Sequence, residues 1–249
     1  MSILLSGDFH NNVADELNYI NKNALLKKYT QTQYDEIKYH IILGDAGFLW
    51  HGNKGNEAKI YKKLSMRPFP ILCVLGNHDP VLGRSDLPEV DIGIGENVIL
   101  VKEENPFVAY LKRGKVYKIE NHKFLVLGGA LSIDKHSRRP GISWWEEEYW
   151  SEDEKNNLFL MLESEKEFDY VLSHTGPNCI NMTVYNICNT GFTKKFRDEV
   201  AELNESIDEK IFCKQWFCGH WHLDIGHYDE LSERSYQYLY KQTVLLDRG

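Results

Sequence analysis

The sequence lacks the features of secreted and membrane-bound proteins. Its five cysteines form no Cys-x-x-Cys pair and are odd in number, which favours reduced thiols over a disulfide framework. No apolar run approaches the roughly 20 residues that a membrane-spanning helix requires, and the chain starts without the basic and apolar regions of a signal peptide. We therefore expect a cytoplasmic protein that has no membrane partner.

The sequence also lacks an excess of positive charge. Its formal net charge is −8 over 249 residues, which disfavours broad adhesion to DNA or anionic lipid but allows a local basic groove. We find no internal repeat, low-complexity segment or linker. Because its 42% of hydrophobic residues is ordinary for a globular protein, one domain over residues 1–249 is the simplest prediction.

Six short apolar segments have the composition of buried strands. Each is rich in Leu, β-branched or aromatic residues and ends in glycine or a polar cluster: ILLSGD, YHIILGD, FPILCVLGN, KFLVLGGALS, YVLSHT and QWFCGH. Segments of helical character over 13–28 and 56–66 separate the first three, which predicts a largely parallel sheet. Ser151 and Glu154 predict the capping box of a later helix, and the alternation over 225–246 predicts an antiparallel hairpin.

Carboxylate, amide and imidazole side chains follow these strands. In an open α/β sheet, ligands bind at the carboxyl ends of the strands. The sequence places nine candidate residues there: Asp8, His10, Asp45, Asn77, His78, Asp79, His174, His220 and His222. Each cluster alone has an ordinary interpretation as a turn, a helix cap or a buried core histidine. Their joint occurrence indicates a metal site, and ligands without a thiolate suit Mn, Fe or Zn.

In this order, the motifs Asp-x-His, Gly-Asp, Gly-Asn-His-Asp, a His after a strand and Gly-His-x-His resemble the calcineurin-like metallophosphoesterase superfamily. The resemblance spans residues 7–222. It implies an α/β fold in which a two-sheet β-sandwich is flanked by helices, in four layers αββα. It also implies two divalent metal ions at one edge, with Mn favoured and Fe, Zn or Ni as alternatives, and hydrolysis of a phosphate ester by a metal-activated hydroxide.

The resemblance further implies a role for each candidate. Asp8, His10 and His222 would hold the first metal, Asn77, His174 and His220 would hold the second, and Asp45 would bridge both. His78 would bind no metal and would protonate the leaving oxygen or steady charge near the substrate phosphate. Asp79 would either orient His78 by accepting a ring hydrogen bond or cap the next segment.

The chain departs from the protein Ser/Thr phosphatase branch, and its segment GGALSIDK, followed by Arg and SWW, resembles bacterial and phage-type members of the superfamily. That branch carries an Asp-Arg pair shortly after its Gly-Asp, whereas this segment reads GDAGFLWHG. Phe48 and Trp50 occupy that region, and they could stack on a base or belong to the core. We favour the core interpretation.

Two segments are candidates for the substrate side of the site. Residues 134–150 include His136, Arg138 and Arg139, and arginine suits bidentate contact with phosphate. The alternative for these residues is a solvated surface loop. Residues 176–193 read as an irregular insert whose Tyr185 and Asn186 could contact the substrate.

The sequence therefore predicts a dinuclear metal-dependent phosphoesterase. A phosphodiester, such as a nucleotide, a cyclic nucleotide or nucleic acid, is slightly favoured because the Asp-Arg pair is absent. The alternatives are a phosphomonoesterase or protein phosphatase, a non-catalytic metal-binding scaffold of the same fold, and a mononuclear metalloenzyme of another fold. The oligomeric state is left open.

Overall fold

The strands of the computed structural model form two mixed sheets within the described residues, which are 1–10, 20–49, 68–82, 84–188 and 198–247. The first sheet contains β1 (Ser2–Ser6), β2 (Ile37–Ile42), β3 (Ile71–Cys73), β4 (Glu89–Val90), β5 (Val98–Lys102), β6 (Val108–Leu111) and β13 (Thr243–Leu246). Their order is β13-β1-β2-β3-β6-β5-β4. Strands β1, β2, β3 and β6 are parallel, which confirms the predicted parallel centre.

The second sheet has the same design, with a parallel centre and antiparallel edges. It contains β7 (Lys115–Ile119), β8 (His122–Val126), β9 (Glu167–Leu172), β10 (Phe212–Cys218), β11 (Ile225–Asp229) and β12 (Arg234–Tyr238). Their order is β11-β12-β10-β9-β8-β7, and β8, β9, β10 and β12 are parallel. All six predicted strands are present as β1, β2, β3, β8, β9 and β10.

Five α-helices accompany the sheets in the described part of the chain. They are α1 (Lys22–Leu25), α2 (Gln31–Asp35), α3 (Glu152–Ser164), α4 (Asn178–Cys188) and α5 (Glu199–Asp208). The Ser151–Glu154 capping box at the start of α3 is confirmed. In the described part of the predicted helix over 13–28, a separate short helix, α1, begins after its N-cap Asn21. Residues 13–19 and the predicted helix over 56–66 lie outside the described residues. No described helix has the length and apolar character needed to cross a bilayer.

Three apolar cores arrange these elements in layers. Ile3 and Phe217 belong to the core between the two sheets. Leu25 of α1 packs with the outer face of the first sheet, whereas Leu158 of α3 and Val184 of α4 pack with the outer face of the second. The order helix, sheet, sheet, helix confirms the predicted αββα sandwich.

Two sequence interpretations need correction. The predicted hairpin covers β11 and β12, but β13 crosses to the first sheet and pairs antiparallel with β1, where Leu246 is buried in the core between the sheets. The supposed irregular insert over 176–193 is helical over Asn178–Cys188 because Ile180 and Val184, one turn apart, are buried on one face. Residues 189–193 lie outside the described part.

Candidate metal centre

The loops that follow five of the central strands meet at one edge of the sandwich. The backbone amides of Phe9 and His10, after β1, donate to the carbonyl of Asp45, after β2, at 3.1 and 2.8 Å. In the second sheet, the amide of Gly219, after β10, donates to the carbonyl of His174, after β9, at 2.9 Å. These bonds hold the strand ends in register, so that side chains distant in sequence meet.

Asp8, His10 and His222 form the first cluster of possible ligands. The Nε2 atoms of His10 and His222 lie 2.6 Å apart, and they lie 3.9 and 3.3 Å from Oδ2 of Asp8. One ligand atom from each residue falls within 4.8 Å of the others. Oδ2 of Asp8 is buried and has no hydrogen-bond partner among the described residues. Because a buried polar atom is costly to leave unpaired, this oxygen fits a cation.

Asp45 lies at the centre of the site. Its Oδ1 accepts a hydrogen bond from the backbone amide of His78 at 2.8 Å. Its Oδ2 lies 3.4 Å from Nε2 of His174, 3.7 Å from Nδ1 of His10 and 3.8 Å from Nε2 of His78. The carboxylate is therefore held by one oxygen while the other faces both groups of histidines.

The second set whose ligand atoms all lie within 4.8 Å of one another is His10, Asp45 and His78. The predicted second set, Asn77, His174 and His220, adjoins Asp45 through His174, whose ring centroid lies 5.0 Å from that of His220. Nδ1 of His174 contacts the carbonyl of Leu43 at 2.7 Å, and Nε2 faces Oδ1 of Asn77 at 3.1 Å. When Nδ1 donates to that carbonyl, the Nε2 lone pair and the amide oxygen face each other and a cation between them would suit both. Nε2 of His220 is also buried without a hydrogen-bond partner among the described residues.

The electrostatics of the protein alone also favour a positive charge at this position. Burial raises the pKa of Asp8 to about 7. Burial alone would lower the pKa of His174, but the Asp45 carboxylate outweighs it and raises that pKa to about 10. In return, although burial alone would raise the pKa of Asp45, the charge of His174 and its hydrogen bond hold that pKa far below its usual range. The two buried carboxylates thus stabilise positive charge beside them.

Backbone conformation is unusual at four of these residues. His10, Asp45, His220 and His222 have φ angles of 43°, 50°, 67° and 51°. Residues other than glycine rarely adopt this left-handed region, which costs about 1–3 kcal/mol at each residue. Such outliers persist where the surrounding structure fixes them, and they cluster at functional sites.

His78 lies beside this centre and contacts Arg138. The Arg138 guanidinium nitrogens lie 2.5 Å from Nδ1 and 3.0 Å from Nε2 of His78. Burial outweighs the opposing effect of the Asp45 carboxylate and lowers the pKa of His78 to about 4. The Arg138 charge acts in the same direction as burial. Asp134 accepts from Nε of Arg138 at 2.6 Å, and the carbonyl of Ser143 accepts from Nη1 at 3.1 Å. The structure thus brings one cation of the 134–150 segment to the site.

The sequence that forms this candidate site matches the model of a known family. The model of the calcineurin-like phosphoesterase family matches residues 1–224. The chain belongs to the calcineurin-like phosphoesterase family. Membership confirms the resemblance seen in the motifs and the assignment as a metallophosphoesterase, and the bacterial or phage-type branch stays a prediction.

Comparison with solved structures adds the fold of the phosphoesterase. The chain is similar to a proposed 5'-nucleotidase from Staphylococcus aureus in complex with alpha-ketoglutarate, with 14% identity and a TM-score of 0.50 over 99% of this chain and 50% of that one. The chain therefore spans about half the length of that structure. A phosphopantetheinyl hydrolase from Mycobacterium tuberculosis has 12% identity and a TM-score of 0.40 over 96% of this chain and 90% of that one. No curated protein matches.

Glycines in the phosphoesterase motifs make room for ligands from other strands. A Cβ atom on Gly76 would lie 2.1 Å from Oδ1 of Asp45, and one on Gly219 would lie 2.4 Å from Oδ1 of Asp8. Both distances are far below van der Waals contact. Gly76, which precedes Asn77, therefore leaves room for Asp45, and Gly219, which precedes His220, leaves room for Asp8.

Other predicted site residues of the phosphoesterase take different positions. The Asp79 carboxylate accepts hydrogen bonds from the amide of Gly76 and the hydroxyl of Tyr110, both at 2.9 Å, which ties the turn after β3 to β6. Phe48 is 1% exposed, which confirms the core interpretation, and Trp50 lies outside the described residues. His136 and Arg139 are exposed.

Sequence reasoning missed the partners that orient the candidate ligands. Nδ2 of Asn77 donates to Ser132 at 2.9 Å, and Ser132 donates to Glu148 at 2.6 Å. The Tyr240 ring stacks on His222, with centroids 4.5 Å apart and planes at 13°. A run of three glutamates and a tyrosine in the connection between β12 and β13 carry no local signal for such contacts.

Proposed function

We propose that this phosphoesterase is a dinuclear metal-dependent hydrolase of phosphate esters. The observation that carries the proposal is a pair of buried candidate ligand atoms, Oδ2 of Asp8 and Nε2 of His220, which have no hydrogen-bond partner among the described residues. A non-catalytic metal-binding scaffold would use the same atoms, so turnover is the property that separates the two functions. Membership in the family supports the same activity.

Seven side chains would hold the two metals. Asp8, His10 and His222 would bind one ion, Asn77, His174 and His220 the other, and Asp45 would bind both. Two divalent ions bound there would polarise the phosphoryl oxygens and activate water for attack. Manganese is our choice because the ligand set combines imidazole and oxygen donors without a thiolate.

Arg138 and His78 would serve the substrate. The Arg138 guanidinium points into the site, where a fork of N–H donors can hold phosphate oxygens. With a pKa of about 4, the imidazole of His78 is neutral near pH 7, so its place beside Arg138 favours steadying charge over donating a proton from an imidazolium. Asp79 would support both by fixing the turn that carries His78. His136 and Arg139, which are exposed, would reach only a larger substrate.

A phosphodiester is our first candidate substrate. The described residues bring one guanidinium to the site, and the sequence lacks the Asp-Arg pair of the protein phosphatases, which supports an ester with less negative charge than a monoester. A nucleotide monoester is the second candidate, in line with the activity proposed for the Staphylococcus aureus structure, whose likeness extends to the fold alone. We also propose a cytoplasmic location, because the four cysteines described are free thiols.

Hydrolysis of bis-p-nitrophenyl phosphate and p-nitrophenyl phosphate with Mn²⁺ tests the proposal. The wild type should bind two Mn²⁺ ions and cleave the diester faster. Asp45→Asn should abolish both properties, whereas the control His227→Ala, on β11 and away from the candidate ligands, should change neither. A wild type that binds two Mn²⁺ but cleaves neither ester would favour the scaffold, and one that binds no Mn²⁺ would overturn the proposal.

A further inference from the structure

Residues 132–148, here called the strap, contact both Asn77 and His78. These neighbours sit in the Gly-Asn-His-Asp turn, one as a candidate metal ligand and the other as a candidate substrate residue. The strap reaches them by two routes that both start at the Glu148 carboxylate. One passes through Ser132, and the other through Trp144 and its neighbour Ser143. The strap is therefore placed to set the geometry of the metal and of the substrate together.

The inner route leads from Glu148 to the metal ligand Asn77. Oε2 of Glu148 accepts a hydrogen bond from the Ser132 hydroxyl at 2.6 Å, and Oγ of Ser132 accepts one from Nδ2 of Asn77 at 2.9 Å. All three side chains are buried. Because Nδ2 is committed to Ser132, Oδ1 of Asn77 is turned toward Nε2 of His174 and the metal position.

The outer route leads from Glu148 to the substrate residue Arg138. Oε1 of Glu148 accepts a hydrogen bond from Nε1 of Trp144 at 2.6 Å. The carbonyl of Ser143, the residue before Trp144, accepts a hydrogen bond from Nη1 of Arg138 at 3.1 Å. Arg138 in turn contacts both ring nitrogens of His78. The Trp144 indole thus anchors the segment whose Ser143 carbonyl contacts the guanidinium, which the Asp134 carboxylate also holds.

A carboxylate is the group that this position requires. The Ser132 hydroxyl and the Trp144 indole are both donors, and an ionised carboxylate is an acceptor at both oxygens. A glutamine would turn an NH₂ donor toward one of them. The Glu148 backbone is fixed on each side, because Arg113 donates to the carbonyls of Glu147 and Tyr149 at 2.9 and 2.8 Å.

We propose that Glu148 is a positioning residue that orients the metal ligand Asn77 through Ser132 and the substrate residue Arg138 through Trp144. This inference rests on the proposed function, since it assigns Asn77 to a metal and Arg138 to the phosphate. Groups that orient metal ligands typically account for 10–100-fold in metal affinity. Through Glu148, the position of the metal ligand Asn77 would be coupled to the position of the phosphate-binding residue Arg138.

Four variants separate the two routes. Ser132→Ala breaks only the inner route and should weaken binding of the second Mn²⁺ by about 10–100-fold, with the KM for the diester unchanged at saturating Mn²⁺. Trp144→Phe breaks only the outer route and should raise KM with Mn²⁺ affinity unchanged. Glu148→Gln should do both, whereas Ser132→Thr, which keeps the hydroxyl, should restore the Mn²⁺ affinity.

The measurements are calorimetric titration of the metal-free protein with Mn²⁺ and steady-state kinetics on bis-p-nitrophenyl phosphate. The exposed neighbour Glu146→Gln is the charge-matched control and should resemble the wild type. Equal Mn²⁺ affinity in Ser132→Ala and the wild type, or parallel changes of affinity and KM in both single-route variants, would overturn the inference. A wild type that binds fewer than two Mn²⁺ would instead overturn the proposed function. Should Glu148→Gln fail to fold, the two single-route variants decide.

Discussion

The two halves of the candidate metal centre share Asp45 but differ in how firmly the protein holds their ligands. In the open half, the side chains of His10 and His222 are 28% and 45% exposed. In the buried half, the His174 side chain is fully buried and both its nitrogens have partners, while the Asn77 amide is fixed by Ser132.

The difference shows that one fold can prepare two metal positions to different degrees. The buried half is arranged by hydrogen bonds before any ion binds, so binding there loses little side-chain freedom. In the open half, the ion itself must order half-exposed rings. We therefore expect the buried half to bind its metal more tightly and the open half to exchange its metal first.

The largest effect is expected from Asp45→Asn, because it removes the one ligand that the two halves share. Without its charge, two divalent ions would repel each other and both sites would lose affinity. The loss of activity should exceed the roughly 10–100-fold typical of groups that only orient ligands. Metal analysis after dialysis against Mn²⁺ measures the content directly. Retention of both ions with near-normal turnover would mean that Asp45 does not bridge.

Loss of one ligand from each half comes next and tests the comparison itself. His222→Ala should leave one tightly bound Mn²⁺, since the buried half is intact. His174→Ala should weaken the tight site and leave the weak one. Titration calorimetry distinguishes the two patterns, and His227→Ala serves as the control. If both variants lose the same site, the halves are not independent.

The two halves also differ in how much of them the sequence predicts. The candidate ligands follow apolar strands in short motifs, so their meeting at one sheet edge follows from topology alone. The groups that fix the buried half do not. Ser132 lies 55 residues from Asn77 and Glu148 a further 16 away, and only the folded strap brings them together. A local sequence pattern therefore cannot predict the contacts of Ser132 with Asn77 and Glu148.

The fold shows the same division between local and non-local signals. Central strands were predicted because apolar runs end in glycine or polar residues. The sequence prediction omits β5 and β6, although both are apolar and are followed by polar residues, EEN and KRG, so the same rule applies to them. The crossing of β13 into the first sheet depends on its pairing with β1, at the other end of the chain. Just beyond β13, Asp247 accepts a hydrogen bond from Ser2, 245 residues away in sequence. A hairpin was the nearest alternative in sequence.

An intermediate effect is expected from Gly76→Ala, which sharpens the comparison at the shared ligand. The added Cβ would lie 2.1 Å from Oδ1 of Asp45 and must displace the carboxylate. Overpacking of this kind costs about 1–3 kcal/mol of folding free energy, and Mn²⁺ affinity should fall in both halves. The control Gly226→Ala would meet only the end of the flexible Gln237 side chain at 3.1 Å. Urea unfolding and Mn²⁺ titration of both variants give the answer, and equal results would contradict the packing argument.

The smallest effect is expected from Glu154→Gln, which loosens the anchor of the strap and so reaches the buried half only indirectly. Glu154 pairs with Arg113 through two hydrogen bonds of 2.8 Å, and Arg113 holds the strap backbone beside Glu148. Partial burial would raise the pKa of Glu154, but Arg113 outweighs it and lowers that pKa below 4.5. The charged pair therefore stabilises the fold above pH 4.5 and is lost as the pH falls through the lowered pKa.

The glutamine variant keeps an acceptor for the capping box but removes the charge. At neutral pH we expect it to unfold about 1 kcal/mol more easily than the wild type, a value reduced because Glu154 is partly exposed. The difference should shrink as the pH is lowered, which urea unfolding at several pH values measures. Its Mn²⁺ affinity should weaken in the buried half alone. A loss in the open half instead would show that the strap supports the site as a whole, and the two halves would then differ in exposure but not in how they are held.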